Sequence, residues 1–412
     1  MKNRVVITGE GSISPLGLDS KSLWNSIIIG KSGVSKIESF NTEDFSVKIA
    51  GEIKNFNPET YFISKEIKKL DRFTMLSIFA SDQAILSSGY DKKDVGIIVG
   101  TGVGGMHTLE EEHNKFIKRG QRGVSPFYVP KMIPNIAGGQ IAIKNGFVGA
   151  NFSMSTACSS ATDAIGMGYR FISSGYSKAM LCGGSEGSIT PMTLSGFANM
   201  KALSKNNEDP EGASRPFDNE RDGFILSEGA GFIFLEELEH AKDRGANILG
   251  EITGYGITND AFHITQPHGE GTGAVSAISM ALNDSGLNND DIDYINAHGT
   301  STYFNDMLET KAIKKCFGSK SYDIPISSTK SMTGHLLGAA GAIEAIVCVN
   351  AINNGIVPPT INLTNKDDEC DLNYTPNSAI EKNIDIAMSN SFGFGGHNSV
   401  IIIKRFFSWE YR

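Results

Sequence analysis

Cysteine is scarce in this 412-residue chain: five residues, at 158, 182, 316, 348 and 370, with no Cys-x-x-Cys pair and no metal-type spacing. An odd, scattered set excludes a disulfide scaffold and points to a reducing, cytoplasmic setting. No apolar run approaches the ~20 residues of a membrane span. Met1 is followed by two polar residues and then Arg4-Val5-Val6-Ile7-Thr8-Gly9, which reads as a strand and lacks the longer apolar stretch of a signal peptide. Excess positive charge is missing too. With 37 basic and 46 acidic side chains the net charge is −9, so nothing draws in nucleic acid or an anionic membrane in general, and an anionic partner must dock on a locally basic patch. Linkers and low-complexity stretches are absent, while 40% apolar content is enough to bury a large core. Disorder is excluded.

Glycine is plentiful, 46 residues, and it gathers where short apolar runs end: at Val95 to Gly105, Ala179 to Ser185 and Met388 to Gly396. Such runs read as buried strands closing in tight turns. Helical patterns lie between them, from Glu66 to Ser88 and Gly273 to Gly286, which predicts a layered α/β fold. A helix follows Cys158, with Ala161, Ala164, Ile165, Gly168, Phe171 and Ile172 on one face until Gly175. Another, from about Gly334 to Asn354, is apolar nearly all round and therefore buried, with a single acid, Glu344. Each follows a Ser-Thr pair (Ser155-Thr156, Ser328-Thr329), preceded upstream by a strand ending in Gly-Thr (Gly100-Thr101, Gly299-Thr300). The pattern suggests a duplicated α/β unit, with a longer excursion between the two pairs in the first half.

Cys158, in Ser155-Thr-Ala-Cys-Ser-Ser160, sits where a strand gives way to a helix. Unpaired N–H groups and the helix dipole there favour a thiolate, so it is a candidate nucleophile; the other four cysteines read as small buried hydrophobes. His298, in Asn296-Ala-His-Gly-Thr-Ser-Thr302, follows an apolar strand at its carboxyl end, where ligand sites of α/β sheets gather. His335 opens the buried helix. A lone histidine in either place would read as a satisfied core residue, but a thiol and two imidazoles are what nucleophilic thioester chemistry needs. His107, His113, His240, His263 and His268 have polar neighbours and read as surface residues. Lys330 and Glu344 lie in small, uncharged stretches, and buried charges persist only when paired; they could pair with each other or with the histidines. Phe392-Gly-Phe-Gly-Gly396 is a glycine-rich turn whose N–H groups could serve as an oxyanion hole. Gly100-Thr-Gly-Val-Gly-Gly105 formally satisfies GxGxxG, but no acid between Glu112 and Asp163 is available for a ribose, which argues against a dinucleotide cofactor. No cofactor is expected.

Taken together, Ser155-Thr-Ala-Cys-Ser-Ser160, Asn296-Ala-His-Gly-Thr-Ser-Thr302, Ser328-Thr-Lys-Ser-Met-Thr-Gly-His335 and Asn390-Ser-Phe-Gly-Phe-Gly-Gly396 resemble the elongating β-ketoacyl-[acyl carrier protein] synthases of type II fatty acid synthesis. The likeness runs from Arg4 through Ser214-Arg-Pro-Phe-Asp218 and Arg221-Asp-Gly-Phe224 to about Lys404. It implies a thiolase fold, two similar βα halves (1–248 with the nucleophile and cap insertions, 249–412 with the histidines) packed as five layers, αβαβα, and a homodimer. The implied activity is decarboxylative condensation of an acyl thioester with malonyl-acyl carrier protein. By resemblance, Cys158 accepts the acyl group, His298 and His335 act on the malonyl group, and Lys330 organises the site. The N–H groups of Cys158 and Phe394 hold the oxyanion, and Phe394 also gates malonyl entry. Val103 lines the acyl tunnel, and Phe392, Thr300 and Thr302 contact substrate. Lys65, Lys68, Lys69 and Arg122 face the carrier protein, and a structural monovalent cation sits near Asn296, Glu344, Ser389 and Asn390.

Three features depart from the family pattern. His397 stands where many relatives have threonine, Tyr303-Phe304 are bulkier than usual, and the tail Phe406 to Arg412 extends past the usual end. Other readings remain open: a polyketide-type ketosynthase with the same residues, a Cys–His hydrolase, or a noncatalytic chain-length partner, against which the retained Cys158 argues.

Overall fold

The apolar runs of the sequence become the strands of one sheet. The computed structural model describes residues 2–407, and among them ten strands join edge to edge: β1 Val5–Ile13, β2 Gly96–Gly100, β3 Asn151–Met154, β4 Ala179–Glu186, β5 Gly229–Glu237, β6 Gly250–Asn259, β7 Tyr294–Asn296, β8 Ile326–Ser327, β9 Ile386–Gly393 and β10 His397–Lys404. Their spatial order is β8-β7-β9-β10-β6-β1-β5-β4-β2-β3. Read outward from the middle, each half repeats one plan. β2 pairs parallel with β3 and β4, as β7 does with β8 and β9. β4–β5 and β5–β1 are antiparallel, as are β9–β10 and β10–β6. The halves meet where Val5–Ile7 of β1 runs antiparallel to Gly250–Ile252 of β6. The duplication suspected from the Gly-Thr and Ser-Thr pairs is therefore a property of the topology. The extra length of the first half is helical: Met106–Arg119, Tyr128–Met132 and Ile136–Asn145 lie between β2 and β3.

Five helices complete the layers: α1 Arg72–Ser88, α2 Ser160–Ser173, α3 Thr272–Ser285, α4 Tyr303–Phe317 and α5 Ala340–Asn354. α1 covers β1, β4 and β5 on one outside face, α3 covers β6 and β10 on the other, and α4 packs beside α3. α2 and α5 lie between the half-sheets: α2 touches β2, β4 and β10, α5 touches β5 and β9, and the two touch each other. This is the αβαβα stack of the thiolase fold. Glycines permit the close approach. A Cβ on Gly166 of α2 would sit 2.3 Å from the Tyr255 ring of β6, and one on Gly341 of α5 would sit 1.9 Å from Thr162 Oγ1 of α2. The helical stretch Leu337–Asn354 is long and apolar enough to cross a membrane by length and composition, and 83% of it is buried inside the protein, which is the core position expected of a helix apolar all round.

Two helix boundaries differ from the sequence expectation. The stretch from Glu66 breaks into a short turn, Ser64–Ile67, and a helix from Arg72, because the Asp71 carboxylate accepts Phe73 N–H (3.2 Å) and caps a new start. The stretch from Gly334 stays non-helical until Leu337, whose left-handed backbone (φ +49°) forces a single 3-10 turn before α5 begins. Of the C-terminal tail, Phe406 packs beside Val6, Leu238 and Ala241; residues 408–412 lie outside the described part.

Candidate active site

The candidate residues converge because both halves place a turn at the same point, between the third strand and the central helix. In the first half Ala157 is left-handed (φ +51°), Ala157–Ser159 forms one 3-10 turn, and α2 starts at Ser160. A buried carboxylate braces that turn: Asp163 accepts the hydroxyls of Thr156 and of Tyr255 (2.8 Å). In the second half the equivalent turn is Leu337–Ala339, and His335 stands just before it. His298 follows β7, where the Glu309 carboxylate on α4 accepts the N–H groups of His298 and Gly299, each at 2.8 Å. The Cys158 sulfur and a ring nitrogen from each of His298 and His335 all lie within 4.8 Å of one another. The two imidazoles stand edge to face, centroids 5.4 Å apart at 83°, with Phe392 against His298 and Phe224 against His335.

The electrostatics assign these groups different tasks. Burial, and secondarily the nearby Lys330 charge, holds both histidines well below their usual pKa, so at neutral pH the rings are uncharged. Leu337 N–H donates to His335 Nδ1 (3.3 Å), which leaves the ring proton on Nε2 as a hydrogen-bond donor. Lys330 is 1% exposed and pairs with Glu344, one of the pairings the sequence allowed. Cys158 departs from expectation. Its place before α2 suggests a lowered thiol pKa, but burial pushes it up to about 11, while Lys330 and the Phe394 N–H pull it back. The resting group is a thiol, and the thiolate is made only as it reacts.

A triad of one cysteine and two histidines this close has metal-ligand spacing, but the tautomer argues otherwise: His335 Nε2 carries its proton and has no lone pair to give, and the Lys330 charge opposes a cation. Oxygen ligands are a different matter. Asn296 Oδ1, Ser389 Oγ, Asn390 Oδ1 and Glu344 Oε2 are all buried with no hydrogen-bond partner among the described residues, and Ser389 stands directly beside Asn296 in the β7–β9 register. Such an oxygen set fits a hard monovalent cation.

A cavity of about 510 Å³ opens onto Cys158, His298 and His335 and is walled by Val103, Thr300, Thr302, Phe392 and Phe394, with Tyr303 and Phe304 also among its lining residues. Every expected substrate-contacting residue is thus in it. The Thr300 and Thr302 hydroxyls bond each other at 2.8 Å. Tyr303 is anchored by Glu369 (2.8 Å) and by the Arg221 guanidinium under its ring, and Phe304 stacks edge-on against it. The His397 ring folds over the oxyanion turn, 3.2 Å from where a Cβ on Gly395 would sit. Lys65, Lys68, Lys69 and Arg122 are exposed, and Lys69 Nζ lies over the Phe127 ring at 5.1 Å.

Sequence reasoning missed Glu309 and Glu186. Glu309 sits on a helix rich in charged residues and gives no signal there. Glu186 closes the small, uncharged run Met180-Leu-Cys-Gly-Gly-Ser185, and the argument applied to Lys330 and Glu344 would have found it. His107 and His240 are not simple surface groups. His107 buries an unpartnered Nε2, and His240, 11% exposed, holds Glu236 through Nδ1 (3.2 Å).

The chain matches the β-ketoacyl synthase N-terminal domain over residues 2–241 and the β-ketoacyl synthase C-terminal domain over residues 249–364. It is 47% identical to 3-oxoacyl-[acyl-carrier-protein] synthase 2 of Synechocystis over 410 residues, 98% of this chain and 99% of the relative. It is also 47% identical to the protein of the same name from Staphylococcus aureus over 408 residues, 98% of each. Among solved structures, a β-ketoacyl synthase from Burkholderia phymatum superposes with a TM-score of 0.91 at 32% identity, covering 99% of this chain and 100% of that one. A type II polyketide acyl-carrier protein in complex with its ketosynthase bound to the hexaketide gives 0.91 at 34%, covering 98% and 100%.

Proposed function

The chain belongs to the β-ketoacyl synthase family, and from that premise we propose how its residues carry out the reaction. It is an acyltransferase, a condensing enzyme of fatty acid elongation, and acyl carrier protein is its partner. The observation that carries the mechanism is a thiol on a strained turn with two uncharged imidazoles inside 4.8 Å.

The Cys158 sulfur attacks the acyl thioester. Its proton leaves with the carrier thiol, and the oxyanion is held by the N–H groups of Cys158 and Phe394. Malonyl-carrier then enters with its thioester oxygen toward His335 Nε2–H and the His298 ring. Breaking the carboxylate C–C bond releases carbon dioxide and places the electron pair on an enolate whose oxygen those donors stabilise. The enolate carbon attacks the acyl-Cys158 carbonyl, the C–S bond breaks, and a β-ketoacyl-carrier longer by two carbons departs. Neutral donors suit this step, because an imidazolium would protonate the carbanion. Val103, Phe392, Thr300 and Thr302 line the path of the substrate, Phe394 gates it, and burial, helped by the Lys330 charge, keeps both imidazoles uncharged. The two functional halves are 1–248 and 249–412. The polyketide reading uses the same residues, and the 47% relatives favour fatty acid elongation over it.

The unpartnered oxygens of Asn296, Glu344, Ser389 and Asn390 would hold a monovalent cation, which would satisfy these buried acceptors and tie β7 and β9 to α5. The free edge of β3, last in the sheet, is where a second copy would extend it into a homodimer, checked as a solution mass of twice 44.3 kDa. Lys65, Lys68, Lys69 and Arg122 would dock the carrier.

Three further experiments bear on this reading. His298→Ala and His335→Ala are each expected to lower malonyl decarboxylation by about 10²-fold or more while acylation of Cys158, followed by intact mass, survives; Cys158→Ala loses the acyl-enzyme altogether. Loss of acylation with decarboxylation intact would reverse the assigned roles. Charge reversal at Lys68, Lys69 and Arg122 should raise KM for acyl-carrier, with a loss that shrinks as salt is added, while a small acyl thioester is used as before; equal losses on both would move the docking patch elsewhere. Potassium chloride should raise Tm above lithium chloride at equal ionic strength, and Asn390→Ala should abolish that difference; identical Tm values in the two salts would remove the cation.

A further inference from the structure

Glu186 is the last residue of β4 and is fully buried, yet no cation pairs with it among the described residues. Its partners are hydrogen-bond donors. Oε2 accepts the N–H groups of Gly102 (2.8 Å) and Gly338 (3.0 Å), and Oε1 accepts the Thr101 hydroxyl (3.2 Å). Burial without a counter-charge pushes the carboxyl up to about 7, and these donors restrain the rise. Glycine is required at Gly338, where a Cβ would lie 2.2 Å from Gly102 N and 2.8 Å from Oε2, and a Cβ on Gly102 would lie 2.9 Å from Oε2 and displace the carboxylate.

The duplication gives this cluster its meaning. Gly338 is the second residue of the 3-10 turn that begins at left-handed Leu337, as Cys158 is the second residue of the turn that begins at left-handed Ala157. β4 and β9 are eight residues each, so Glu186 corresponds to Gly393. Each of these strand ends abuts the turn of the opposite half, Glu186 against Gly338 and Gly393 against Cys158, where a Cβ on Gly393 would come within 3.0 Å of Cys158 N. In the first-half turn the N–H of Cys158, joined by that of Phe394, faces the reacting sulfur. In the second-half turn the equivalent N–H is already engaged.

We infer that Glu186 is a positioning residue whose side chain fills a second, internal oxyanion hole formed by Gly338 N–H and Gly102 N–H. The inference rests on the mechanism proposed above, because the atom it positions is His335 Nε2. Holding Gly338 holds Leu337, whose N–H sets the His335 tautomer. The same carboxylate holds Gly102, next to the cavity wall at Val103. Without it the cleft is left with two unmatched N–H donors and room for a small carboxylate.

The test uses the full-length protein and three readouts: malonyl-thioester decarboxylation, Cys158 acylation by intact mass, and Tm. Glu186→Ala is expected to lower decarboxylation kcat by about 10–100-fold with little change in KM, as for a misplaced catalytic group. Sodium formate should restore a part of that loss where sodium chloride at equal ionic strength does not, since formate can occupy the vacated carboxylate position. Glu186→Gln should stay within about threefold of wild type, because one amide oxygen can accept both N–H groups while the amide donates to Thr101 Oγ1. Wild-type decarboxylation in Glu186→Ala would overturn the inference. So would a Glu186→Gln loss as deep as that of Glu186→Ala with Tm unchanged, or a folded Glu186→Ala whose loss formate does not relieve. Absence of acyl-Cys158 and of decarboxylation in the wild-type protein would instead overturn the mechanism itself.

Discussion

Of the nine non-glycine residues with a left-handed backbone among the described residues, two, Ala157 and Leu337, organise the site. Each costs on the order of 1–3 kcal/mol, a strain tolerated because the chain must turn sharply into a central helix confined between two half-sheets. The tight reversal turns backbone N–H groups inward. In the first half it aims Cys158 at the cavity; in the second it supplies the donor that sets the His335 tautomer. Tyr255, Asp163 and Thr156 brace one turn, and Glu186 braces the other.

Burial then does the chemical sorting. The same dry interior that pushes Cys158 and Glu186 toward their protonated forms pushes His298 and His335 toward theirs without charge. Lys330 adds to the effect on the imidazoles and opposes it on the thiol. One buried ammonium, paired to Glu344, therefore biases three groups in directions that each favour the step in which that group acts.

Much of this could be read from the sequence, for identifiable reasons. Strands were visible because glycine ends short apolar runs, and the duplication because Gly-Thr and Ser-Thr pairs recur ahead of the central helices. Cys158, His298, His335, Lys330 and Glu344 stood out as chemistry-bearing residues in otherwise small, uncharged stretches. The thiol's electrostatics could not be read, since a helix start is local and the groups packed against the thiol, His298, His335 and Phe394, are remote in sequence. Glu309 was hidden for the opposite reason: a glutamate on a helix with Lys311, Lys314 and Lys315 looks solvated until the fold brings it against His298 and Gly299. The break before Arg72 is legible in Asp71, a ready cap, but apolar periodicity continues across it and masks the boundary.

The placement of α2 between the half-sheets has a consequence for biosynthesis. Its apolar face is covered by α5 and by β10, elements that end at Asn354 and Lys404, whereas α2 itself is complete at Ser173. A ribosome must add roughly 230 more residues before the last cover exists, on the order of 10–50 s of translation. Throughout that interval the nascent first half carries an exposed seam of alanine, isoleucine and glycine. A fold that buries its central helices between two half-sheets thus leaves them partly uncovered until its last strand has been made.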